Sequence, residues 1–105
     1  MNQKAISNAF QTFQKEAPEY AQAWNNAVIG LSKANSLSDK KKAIAYLSVL
    51  SVLKIESGIP FHVKHAKSLG VNRDEIISAV LIGLPAAGHS ITSCLLIALN
   101  AFDED

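Results

Sequence analysis

Apolar residues recur along this chain three or four positions apart, the spacing of one helix face, and polar or turn-forming residues interrupt them at intervals. Between Lys4 and Lys15 the recurring positions are Ala5, Ala9, Phe10 and Phe13. Ala17-Pro18-Glu19 restarts the chain, because proline suits a first helical turn and an acid favours its positive end. The second helix is predicted to run to about Ala34, with Tyr20, Ala23, Trp24, Ala27, Val28 and Leu31 on one broad face. Asn35-Ser36-Leu37 breaks it. Ser38 or Asp39 can then cap a third helix by accepting from its free N–H groups. This one is apolar almost all round from Ala43 to Ile55, so it is predicted to be the central helix, buried on most sides. Gly58-Ile59-Pro60 ends it and opens a fourth helix from Pro60 to Leu69, which stops at Gly70. Asn72 and Glu75 have the spacing of a capping box for a fifth helix reaching Leu84. Pro85 breaks that one, and a sixth runs from Ala87 or Gly88 to Phe102. The pattern predicts an all-α, compact, six-helix single domain over residues 1–105, with the third and sixth helices packed on one another.

Composition adds a surface problem. The 105 residues are 49% hydrophobic and only 18% charged. A chain this short buries only about 60–70% of the surface it exposes when unfolded, so apolar side chains must reach the outside. Subunit contacts are the usual way to cover them, which predicts a homo-oligomer. The formal net charge of +1 gives no electrostatic reason to bind nucleic acid or an anionic membrane. No signal-like N-terminus and no uninterrupted apolar run of roughly 18 residues is present, so the expected location is cytoplasmic. Cys94 is the single cysteine, which excludes an internal disulfide or a Cys-x-x-Cys site.

The chemistry therefore falls to the histidines. His62 and His65 are neighbours on one helix face and His89 opens the sixth helix. No Asp, Glu or Cys completes a metal-ligand set beside them, so no metal and no cofactor are expected. Lys64, Lys67 and Arg73 are the nearby cations able to bind a carboxylate. Lys40-Lys41-Lys42 reads as a solvated first turn.

The run His62-x-x-x-Ala66-x-x-x-Gly70, followed by Asn72-x-x-Glu75-Ile76, resembles the carboxymuconolactone decarboxylase-like family, which includes alkylhydroperoxidase D-type proteins. Pro18-Glu19, Leu37-Ser38-Asp39-Lys40 and Gly88 extend the likeness over most of the chain. The resemblance implies an alkylhydroperoxidase D-like fold and a trimer or hexamer, with the His62 pocket near a subunit boundary. The redox branch of that family reads Cys-x-x-Cys-x-x-x-His. Counting back from His62, its two thiol positions fall on Ile55 and Gly58, and its upstream glutamate falls near Ala43. None of these side chains can attack a peroxide or move a proton. Alkylhydroperoxidase-type antioxidant activity is therefore the weakest reading.

The decarboxylating branch also lacks the thiol pair. By that resemblance His62 would be a general acid or base on a small anionic molecule, in cofactor-free, lyase-like chemistry. Lys64, Lys67, Arg73, His65 and His89 are the candidate substrate contacts. The alternative is a catalytically silent, oligomeric ligand-binding or interaction module. A helix-turn-helix reading of residues 62–80 also fits the glycine turn. However, Asp74 and Glu75 at the start of its recognition helix would repel phosphates.

Overall fold

The computed structural model describes residues 6–104, and among them every regular element is helical. The α-helices are α1 (Asn8–Glu16), α2 (Pro18–Ala34), α3 (Asp39–Val52), α4 (Ile59–Ser68), α5 (Arg73–Leu81), α6 (Leu84–Ala87) and α7 (Thr92–Asp103). Two 3₁₀ turns, Glu56–Gly58 and Gly88–Ile91, precede α4 and α7. Lys4 and Ala5, where the first helix was expected to begin, lie outside the described residues.

Most starts are written in capping chemistry. Ser7 Oγ accepts from Phe10 N–H at 3.2 Å, and Ser38 Oγ accepts from Lys41 N–H at 3.2 Å. Pro18 opens α2. At α5 the capping box is complete. Glu75 N–H donates to Asn72 Oδ1 at 2.8 Å, and Asn72 N–H donates to Glu75 Oε1 at 3.0 Å. Each bond satisfies a backbone group that the helix itself leaves open.

Two ends use the same backbone device with different residues. α4 closes with Val71 N–H on the Ala66 carbonyl at 3.1 Å and Gly70 N–H on the Lys67 carbonyl at 3.0 Å. Gly70 sits at φ 90°, the left-handed turn this motif needs. α3 closes identically, with Ile55 N–H on the Leu50 carbonyl at 2.9 Å and Lys54 N–H on the Ser51 carbonyl at 3.1 Å. Here Lys54 takes the left-handed position, at φ 56°. The third helix therefore ends at Val52, not near Gly58 as the glycine suggested.

The predicted count of six helices is corrected in the last third of the chain. The fifth helix stops at Leu81 instead of Leu84. Pro85 then sits in the first turn of the four-residue α6, and Gly88 at φ 74° redirects the chain into a 3₁₀ turn before α7. By length and composition the stretch Arg73–Asp103, with mean hydropathy 1.7, could cross a membrane. These turns divide it into helices of 9, 4 and 12 residues, each short of the ~20 needed to span.

The core lies among α3, α4, α5 and α7. Leu47 from α3, Ile59, Val63 and Ala66 from α4, Ile76 and Val80 from α5, and Cys94 and Ala98 from α7 are all fully buried. α4 and α5 each pack against both α3 and α7. The expected pairing of the third and sixth helices is thus replaced by a diagonal relation: the two approach where the Cys94 thiol points at the Ser51 carbonyl oxygen, 3.8 Å away.

The third helix is also less enclosed than its sequence implies. Ala43, Leu47, Leu50 and Ser51 are buried, but Tyr46, Val49, Val52 and Leu53 are open. More apolar surface lies in the α1–α2 arm. α2 buries none of its 17 residues, and the arm's main contact is α1 against α2.

Candidate functional site

α4 begins one residue before Pro60, whose ring fits the first turn, and its buried stripe Ile59, Val63 and Ala66 fixes its rotation. That rotation places His62 at the edge of the core, half-buried, facing α3. The imidazole packs between two aromatic rings. Tyr46 from α3 is 4.7 Å away between centroids, tilted by 53°, and Phe61 is 5.1 Å away, edge-on at 84°. Burial lowers the His62 pKa from its ordinary 6.5, and the positive charge of nearby His65 lowers it further. His62 is accordingly neutral at pH 7. No hydrogen bond or ion pair holds its ring among the described residues, and neither ring nitrogen is sealed off unsatisfied. At least one is free to accept a proton.

The three cations expected to bind substrate go elsewhere. Lys64 Nζ lies 2.9 Å from Glu104 Oε2. Lys67 Nζ donates to the Phe102 carbonyl oxygen at 2.6 Å and stands 4.6 Å from the centroid of the Phe102 ring. Arg73 donates twice to Asp103, from Nε at 3.0 Å and from Nη2 at 3.1 Å. Hydrogen bonding to Arg73 holds the Asp103 carboxyl below its usual range. Together they clasp the last turn of α7, where carbonyl groups are unpaired and cations are favoured. His65 and His89 are exposed, the latter in the turn before α7.

The other positions singled out by sequence are apolar or closed. Ile55 is exposed at the end of α3, and a β-carbon on Gly58 would make ordinary contact with its side chain at 3.8 Å. Ala43 is buried in the core. Cys94 is fully buried, and burial pushes its thiol pKa up. An enclosed thiol held in its protonated form is a poor nucleophile. Among the described residues no group of three or more His, Cys, Asp or Glu gathers in a metal-binding arrangement.

The residue that sequence reasoning missed is Tyr46. It stands sixteen positions before His62, and only the packing of α3 on α4 joins them. A shallow groove of about 350 Å³ runs between α3 and α5, lined by Ile44, Ser48, Asn72, Asp74, Glu75 and Ile82 among others. His62 is not part of it. Lys40 Nζ lies 3.7 Å from Glu75 Oε1, and the groove's acidic rim is unsuited to an anionic ligand.

The carboxymuconolactone decarboxylase family model matches residues 18–100. Comparisons with curated proteins and with solved structures give no match.

Proposed function

The chain belongs to the carboxymuconolactone decarboxylase family, and from that premise we propose that His62 performs cofactor-free proton transfer on a small anionic molecule. The observation that carries this reading is the half-buried imidazole, kept neutral at pH 7 and wedged between Tyr46 and Phe61 without a hydrogen-bonded partner. A neutral imidazole with an open nitrogen can take a proton from carbon or, once protonated, return one. In a carboxylated lactone the carbon–carboxylate bond breaks, CO2 leaves, and its electron pair stays on carbon. The neutral imidazole takes one proton from solvent, and that carbon then takes it from the imidazolium, which returns to its neutral form. No redox partner enters the balance. Thiol-dependent peroxide reduction is disfavoured, since Ile55 and Gly58 stand where the redox relatives carry sulfur and Cys94 is enclosed.

A second reading, a catalytically silent ligand-binding or interaction module, is favoured by one specific observation. Lys64, Lys67 and Arg73 are all engaged with the end of α7, so any of these three would have to leave that contact to bind a substrate carboxylate.

The two readings separate in one assay. A panel of carboxylated lactones is supplied to the wild-type chain and to His62→Gln, with CO2 release as the readout. Proton transfer by a positioned side chain contributes about 10²- to 10⁴-fold, so the substitution should lower turnover by at least about a hundredfold. Turnover unchanged in His62→Gln would move the chemistry away from this residue. Saturable binding of a lactone without any CO2 release would favour the silent module.

A further inference from the structure

The torsion that turns a histidine ring about its stem is broad. With no hydrogen bond or ion pair on the His62 ring among the described residues, packing alone decides which way its nitrogens point. Two rings supply that packing. Phe61 is the preceding residue on α4 and travels with His62, so it cannot fix the imidazole relative to the rest of the fold. Tyr46 can, because it comes from a different helix. Its ring centroid lies 4.7 Å from that of the imidazole, tilted by 53°, within the roughly 4.5–7 Å of aromatic pairs. Ala43, Leu47 and Leu50 are buried around it on α3, so the ring projects from a fixed base. Tyr46 itself is 49% exposed and does not belong to the hydrophobic core. Its ring covers His62 instead.

We propose that Tyr46 is the positioning residue of the His62 site, its ring setting the direction in which the imidazole nitrogens point. The proposal rests on His62 being the functional centre and adds what orients it.

The same ring acts on the charge state. It shields one side of the imidazole from water, which favours the neutral form. An aromatic face within about 6 Å also attracts a cation, which favours the imidazolium. Burial is the larger effect on His62, so taking the ring away should let the proton bind more readily. The surroundings offer little competition. Residues 43–53 of α3 carry no charge. Between α3 and α4 the charged side chains are Lys54 and Glu56, and neither is among the groups that move His62. The charge that does is His65, on α4 itself. The single charge of α7, Asp103, is bonded to Arg73.

The test follows the His62 ring by proton NMR in the wild type, Tyr46→Phe, Tyr46→Leu and Tyr46→Ala, and measures CO2 release from carboxylated lactones beside it. The wild type should show nuclear Overhauser contacts between the Tyr46 and His62 ring protons. Tyr46→Phe keeps the ring and should keep both the His62 midpoint and kcat. Tyr46→Ala should raise the midpoint toward 6.5, with the pH profile of kcat/KM moving alongside. Misplacing a reacting group by about 1 Å can cost about 10²-fold, so its kcat at the optimum pH should fall at least about tenfold, with KM changing far less. Tyr46→Leu keeps an apolar cover without the flat ring, and guards against an alanine variant that does not fold. It should hold the low midpoint yet lose kcat, which a purely structural role would not produce. Three results would overturn the proposal: no ring contact in the wild type, wild-type kcat in Tyr46→Leu, or Tyr46→Phe losing as much as Tyr46→Ala. The ring titration involves no turnover. A raised midpoint in Tyr46→Ala while His62→Gln leaves CO2 release intact would sink the catalytic reading alone. An unmoved midpoint and kcat in Tyr46→Ala, with turnover lost in His62→Gln, would sink the positioning role alone.

Discussion

At the scale of single residues, Lys54 and Gly70 occupy equivalent places at the ends of α3 and α4, yet only one has the freedom the place requires. A side chain in the left-handed region crowds its own carbonyl, at a cost of roughly 1–2 kcal/mol. Lys54 bears that cost at φ 56°. Lys54→Gly removes the crowding but frees the unfolded chain. The net expectation is a gain of about 0.5–1 kcal/mol, read as a higher urea midpoint with an unchanged slope. This position also marks a limit of what the residues reveal. Gly70, Asn72, Glu75, Ser38 and Pro18 all announce their roles, because each carries the chemistry its position needs. Lysine carries none that points to a helix end, so Gly58 attracts the boundary instead. His62 was legible for the same reason that Gly70 was, through its side-chain type and its spacing from Ala66. Tyr46 was not, since nothing local ties a residue on α3 to one on α4.

Between elements, a close fit occurs where the α5–α6 turn meets α3. A β-carbon on Gly83 would overlap the Val52 side chain, so this turn seats against the end of α3 only because residue 83 has no side chain. Gly83→Ala should therefore destabilise the fold by about 1–3 kcal/mol, the usual cost of overpacking, with Val52→Ala in the same chain recovering most of it. Thermal denaturation of the single and double variants checks both parts. The destinations of Lys64, Lys67 and Arg73 belong to this scale too. Each meets a partner 30 or more positions away at the end of α7, a separation at which sequence offers only a sign of charge. Read locally, they were free cations beside a histidine. Packed, they fasten a helix end.

The whole molecule is a four-helix core with an arm that buries nothing in it, and the apolar excess visible in the composition is found on that arm and on the open side of α3. A helix apolar all round needs neighbours all round, and one chain supplies α3 with neighbours on one side. This is why its sequence suggested a fully enclosed helix while a single chain leaves half of it exposed.

The state of His62 is likewise a property of the assembled molecule, since an isolated α4 would leave its ring in water. Packing against α3 favours the neutral form, and the charge of His65 acts in the same direction. The unfolded chain takes up this proton near the ordinary value of 6.5, and the folded chain only at lower pH. The contribution of His62 to stability is therefore complete above 6.5 and declines as pH falls below it. A proton-detected titration of the His62 ring in the folded protein measures this directly. The midpoint should lie below 6.5, returning toward that value on unfolding in urea. A midpoint at or above 6.5 in the folded chain would mean that packing against α3 does not favour the neutral ring, and would contradict the account of His62 as a desolvated proton-transfer group.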